Sequence, residues 1–176
     1  YVRNVMRAKI IQTLVDGGFR VEVYGGGWDE LACNRKENLL WGGPLNSQEC
    51  LEKIMASRIS VNVMPWFKDG AHDRIFNTML NGAVCLTDSS LYLEEILKDE
   101  ENVLLYNPAH MEVVPEKVGR LLEEPGQKTL QDIRDEAYHT ARKDHTWASR
   151  ARVLEQWIEE KHDRTGNLKE MGRGKR

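Results

Sequence analysis

Apolar positions along this chain recur with two periods, and the alternation between the periods lays out the fold. Val2, Met6, Ile10, Ile11 and Leu14 share one face at helical spacing, so residues 2–16 predict an amphipathic helix stopped by Gly17-Gly18. Phe19 to Tyr24 alternates as a short strand that ends at Gly25-Gly26-Gly27, and Leu39 to Trp41 is a second. Asn46 followed by Glu49 predicts a capping box, with Leu51, Ile54 and Met55 as the buried stripe of the helix behind it. Ile59, Val61 and Val63 form the next strand, and a charged loop leads to a helix from Asp73 to Asn81. A strand from Ala83 to Leu86, a short helix from Tyr92 to Leu97 and a last strand from Val103 to Tyr106 follow. Beyond Asn107-Pro108 the pattern is wholly helical, at 113–122, 128–143 and 147–160. Short apolar strands alternating with helices predict an α/β fold: a doubly wound parallel sheet with helices on both faces and a helical C-terminus. Such a fold opens on a central strand, whereas this chain opens on a helix. The first strand is therefore expected to be missing, reduced to Tyr1-Val2, or replaced from elsewhere.

Composition narrows the classes. The length of 176 residues suits one domain with a real core, expected over 1–160, followed by a basic flexible tail at 161–176. Tyr1 is not a start methionine, which points to a fragment or a processed chain. No apolar run is long enough to span a membrane and no signal peptide is visible. Three cysteines without C-x-x-C spacing argue against a disulfide framework or zinc site, so a cytoplasmic setting is expected. The net charge of −3 hides a local +4 in residues 161–176, leaving −7 for residues 1–160. An acidic body without interleaved aromatic and basic residues argues against nucleic acid as the partner.

Candidate chemistry concentrates between Pro65 and Asn77, where Lys68, Asp69, His72, Asp73 and Arg74 fall within seven residues after a strand. Loops at the carboxyl ends of parallel strands collect ligands, and helix N-termini attract anions. Lys68, Arg74 and the first amides of the helix suit a diphosphate, with Gly70, His72 and Asp73 beside them. Asp69 and Asn77, eight residues apart, offer carboxylate and amide groups for sugar or ribose hydroxyls. Gly25, Gly26 and Gly27 either let a ligand approach closely, with Trp28 as a stacking surface, or make a turn with Trp28 in the core. Trp66 is either a ligand wall or a lid on the core. Arg3, Arg7 and Lys9 either meet phosphate at the start of the first helix or lie solvated, and Arg7 is taken as the candidate. Thr87-Asp88-Ser89-Ser90 either caps the next helix or lines the same crevice through Ser89. The chain lacks G-x-G-x-x-G, the P-loop signature, G-x-S-x-G, a D-x-D pair and metal-ligand histidine spacing, so no metal and no cofactor are expected.

The segment VNVMPWFKDGAHDRIFNTMLNGAVCLTD and the closing HTWASRARVLEQWI resemble the carboxyl-terminal, donor-binding domain of GT-B glycosyltransferases. The likeness is to the group 1 type found in spore-maturation-like proteins, over residues 3–160. The resemblance implies a Rossmann-like domain that binds a nucleotide diphosphate sugar for transfer to a glycan or protein acceptor held by another domain. It implies a metal-independent, retaining glycosyltransferase. Related retaining enzymes carry two glutamates eight residues apart; here Asp69 holds the first position and Asn77 the second, and Asn weakens a bidentate ribose contact. By the same resemblance Asp69, Arg74 and Lys68 are the candidate catalytic residues, and the isolated chain is expected to be inactive.

Two other classes compete. One is a degenerate, non-catalytic GT-B-like binding or scaffold module. The other is a flavodoxin- or receiver-like domain, for which an acidic pair and a phosphoacceptor Asp at the required places are not both found.

Overall fold

The computed structural model describes the backbone of residues 2–64 and 69–173 and the side chains of 4–64 and 69–161. In chain order the elements are α1 (Val2–Asp16), β1 (Val21–Val23), a 3-10 turn (Lys36–Asn38), β2 (Leu39–Trp41), α2 (Ser47–Ala56) and β3 (Ile59–Asn62). Then come α3 (Asp73–Leu80), β4 (Val84–Asp88), α4 (Leu91–Ile96), β5 (Leu104–Tyr106) and a second 3-10 turn (Met111–Val113). The chain closes with α5 (Val114–Leu122), α6 (Gly126–Asp144) and α7 (Trp147–Arg173).

Every strand pair is parallel. β1 pairs with β2, and separately β3, β4 and β5 form a sheet in that order with Ile59 opposite Val84 and Leu86 opposite Leu104. No strand among the described residues bridges β1 and β3, so the sheet is interrupted between them.

Alternation along the strands divides the core. Val84 and Leu86 of β4 and Leu104 and Tyr106 of β5 face α1 and α5, joined there by Ile10, Leu14, Val15, Val114 and Val118. Cys85 faces the other way, into Ile75, Phe76 and Met79 of α3, Leu93 of α4 and Ala137 and Ala141 of α6. All five residues of β4 are buried, which is what a strand covered by helices on both faces requires. The small Ala137 and Ala141 let α6 lie close against the sheet, while Leu130 and Ile133, earlier on the same helix, join the α1–α5 side.

Four expectations are corrected. β1 begins at Val21 rather than Phe19, because the Phe19 amide returns to the Leu14 carbonyl (3.1 Å) and closes the end of α1. The stripe assigned to α2 is not buried: Leu51 and Ile54 are half-buried and Met55 is exposed, although the capping box forms in full. α2 packs on α3, and its Lys53 reaches Glu22 of β1 (3.9 Å) and lies over the Tyr24 ring, contacts that bury none of its residues. β4 ends two residues later than expected, at Asp88, so that it carries a carboxylate into the interior. α7 continues helical past Glu160 to Arg173 and leaves Trp147 (87 %), Leu154 and Trp157 (63 %) exposed. Among the described residues no helix is long and apolar enough to cross a membrane.

Candidate functional site

Among the described residues, Gly25–Trp28, Asp69, Gly70, His72 and Ser89 lie on loops after strands, while Asp73, Arg74 and Asn77 lie on α3 and Arg7 on α1. Within each sheet the strands are parallel, so the loops after β3, β4 and β5 leave their sheet at one edge, and the loops after β1 and β2 leave theirs at one edge. After β1, Gly25 (φ +96°) and Gly27 (φ +84°) take the left-handed backbone that only glycine adopts freely, and a Cβ on any of Gly25–Gly27 would meet nothing within 4 Å. The bend is therefore open. The Gly25 amide donates to the Gly43 carbonyl (2.7 Å) and the Trp41 indole to the Gly25 carbonyl (2.6 Å), which fixes its outline. Trp28 is half-buried against the core, with its indole N–H on the Tyr24 carbonyl at 3.0 Å.

After β3, the chain passes through Asp69, exposed on a turn, and Gly70 before α3 begins. His72 is the N-cap of α3, and its Nδ1 lies 3.2 Å from the Arg74 amide and 2.7 Å from an Asp73 carboxylate oxygen. One nitrogen cannot serve both at once. Without a proton it accepts from the Arg74 amide; with one it donates to Asp73 and releases that amide. Arg74 is half-buried, and its charge opposes the burial-driven rise in the Cys85 pKa. Asn77 is exposed, one turn on from Asp73, on the side of α3 away from Ile75, Phe76 and Met79. Trp66 and Lys68 lie outside the described residues. Arg7 is half-buried on α1.

After β4, Ser89 donates from its hydroxyl to Glu94 and from its amide to the Tyr106 carbonyl (3.0 Å). With Tyr106, Asn107 and Lys98 it lines a cavity of about 500 Å³ beside β5. A second cavity of about 330 Å³, lined by Asn81, Gly82, Arg134 and His139, sits at the far end of α3. Neither is lined by Gly25–Gly27 or by Asp69–Asn77. Among the described residues no group of three or more His, Cys, Asp or Glu side chains comes together.

The sequence reading undervalued a buried polar chain. Asn62 (1 % exposed) donates to Thr87 (3.0 Å), Thr87 reaches Asp88 (3.4 Å to Oδ1), and Asp88 (3 % exposed) accepts from the Met64 amide at 2.7 Å. Burial pushes the Asp88 carboxyl above its usual range, opposed by the hydrogen bonds it accepts. Burial likewise raises the Tyr106 phenol and pushes Cys85 up to about 12, which leaves that thiol inert. The signal was available: an acid ending an otherwise apolar strand, VCLTD, has to be satisfied somewhere.

The profile of the glycosyl transferase-like family matches residues 3–156. The chain belongs to that family. No curated protein matches it. Among solved structures, sucrose-phosphate synthase from Thermosynechococcus elongatus is similar at 16 % identity and a TM-score of 0.68, over 89 % of this chain and 43 % of that one. HepE from Anabaena, in complex with UDP-glucose, is similar at 11 % identity and 0.66, over 84 % and 44 %. The C-terminal domain of the glycosyl transferase group 1 family protein LpcC from Francisella tularensis is similar at 16 % identity and 0.61, over 83 % and 80 %. The chain thus spans less than half of the first two proteins and most of a C-terminal domain. As a member of the glycosyl transferase-like family it has the fold of a GT-B carboxyl-terminal domain, Rossmann-like, with parallel strands between helices.

Proposed function

We propose that this domain holds the donor of a glycosyl transfer, a nucleoside diphosphate sugar, across the edge between the glycine bend and α3. The observation that carries the reading is the open start of α3 at the end of β3, with Arg74 in its first turn and Asp69 just before it. The amides and the guanidinium would take up charge that builds on the diphosphate as the sugar–oxygen bond breaks. Asp69 would accept from a hydroxyl of the donor sugar and Asn77 from the ribose, while Gly25–Gly27 leave room for the nucleotide. HepE was solved with UDP-glucose, which makes a uridine nucleotide the first to test.

In this reading protein cations replace a metal, the transfer is retaining, and a second domain brings the acceptor. This chain alone binds nucleotide and does not turn it over, in a cytoplasmic setting. Calorimetric titration with UDP, GDP and ADP is the test. Binding of one of them, unchanged by a chelator, supports the proposal; no heat from any at millimolar concentration overturns it. The non-catalytic alternative has one observation in its favour, an amide at Asn77. Asn77→Glu tightens nucleotide binding in a working donor site and leaves it unchanged in a retired one.

A further inference from the structure

We infer that Asp88 and Ser90, on the corner after β4, are positioning residues that clamp both stems of the loop between β3 and α3. The inference rests on the donor-site reading for its functional consequence and on hydrogen bonds for its geometry. On the incoming stem, the Met64 amide donates to Asp88 Oδ1 at 2.7 Å. On the outgoing stem, the Ser90 hydroxyl donates to the Gly70 carbonyl at 2.8 Å. The two anchors are two residues apart, and both are buried, at 3 % and 5 % exposure.

Each anchor is itself held. Asp88 sits at the end of β4, where Asn62 of β3 donates to Thr87 and ties the two strand ends together. Ser90 caps α4, its oxygen accepting from the Leu93 amide at 3.2 Å while its proton goes to Gly70. One hydroxyl therefore serves a helix start and a loop end together, which a capping role alone does not require. Met64 lies two residues past the end of β3, beyond the last ladder pair, and a buried amide left unpaired is costly. The carboxylate meets that need in the one place where it also fixes the direction in which the chain leaves the sheet. Gly70, held at the other stem, is the residue after Asp69 and two before the His72 cap. The clamp thus sets where Asp69, His72 and the start of α3 stand relative to the sheet edge.

The variants Asp88→Ala, Asp88→Asn, Ser90→Ala and Ser90→Thr test this in the full chain. Two readouts are taken: amide exchange at Met64 and at Gly70–His72 without nucleotide, and UDP affinity. Asp88→Ala and Ser90→Ala are expected to speed exchange at the stem they release, and to weaken UDP about tenfold and several-fold respectively, the scale of a charged and a neutral hydrogen bond. Asn at 88 and Thr at 90 keep the acceptor and the donor, and restore both readouts. A purely structural role would give lost melting temperature without faster local exchange and without rescue. Ser90→Ala, the milder change, carries the test if Asp88→Ala does not fold. Unchanged exchange at Met64 and Gly70–His72 overturns the clamp. Faster exchange with UDP affinity intact overturns its positioning role. If the unaltered chain binds no nucleotide, the donor-site reading falls with the positioning role, and the exchange arm alone still decides whether the clamp exists.

Discussion

The two sheets of this domain are built from the same parallel pairing but have different duties. β3-β4-β5 is packed on both faces, and β4 is buried along its whole length; in β1-β2 only Val23 is buried, and Trp41 at its end is half exposed. The α2 helix that links them buries no residue. A strand covered on both sides gains from every side chain, so the three-stranded sheet carries most of the stability. The two-stranded sheet holds a glycine bend in place by backbone and indole hydrogen bonds rather than by packing. Rigidity sits under one wall of the candidate site, and openness forms the other.

That contrast can be broken by substitution. Leu86→Ala, at a position with no exposure in the α1–α5 core, should lose about 3 kcal/mol in chemical denaturation, while Val21→Ala on β1 should lose less than about 1 kcal/mol. Equal losses would end the distinction. Arg74→Ala should weaken UDP binding by about tenfold with little change in melting temperature, since a charge-assisted contact is removed from a half-exposed side chain; a large stability loss would make Arg74 part of the packed half.

Smaller effects sharpen the comparison. Asn46→Ala removes an acceptor that α2 depends on for want of buried residues, and should lower stability by about 1 kcal/mol by the same denaturation measurement. The smallest effect concerns the packed side. His145 stacks on Phe76 of α3, with centroids 4.2 Å apart, and Arg150 lies over the same ring. Burial, then Arg150, holds its pKa below 6.5, with Asp144 opposing. The unfolded chain therefore takes the proton first, and stability falls as pH drops below 6.5 until the folded pKa is passed. His145→Gln should flatten that slope in melts across the range; an unchanged slope would assign it to other groups.

Much of the architecture was legible because the signals were local. The capping box at Asn46 and Glu49, the helix beginning at Asp73, and the pairing of Ile59, Val61 and Val63 on one face needed only spacing. The failures were also informative. Leu51, Ile54 and Met55 have helical spacing, yet no neighbouring sheet covers Met55, because periodicity states which face is apolar and not what meets it. Trp28 could be read as a wall or as core; the structure puts it half-buried against the core with its indole satisfied by Tyr24. Asp88 and Ser90 could be read as a helix-capping run or as lining of the crevice, and their bonds to Met64 and Gly70 could not be read, since these cross 24 and 20 residues of sequence.

By itself, then, the sequence determined the order and type of the elements, the alternation that sends Leu86 and Cys85 to opposite cores, and the charged start of α3. Those follow from the backbone's two periods and from the chemistry of helix ends, which act over a few residues. Only the tertiary structure decided that α2 stays thinly covered, and that a buried carboxylate on β4 ties down the loop after β3. Each depends on which segments distant in the chain meet in space, and the desolvation that makes Asp88 matter exists only once they have met.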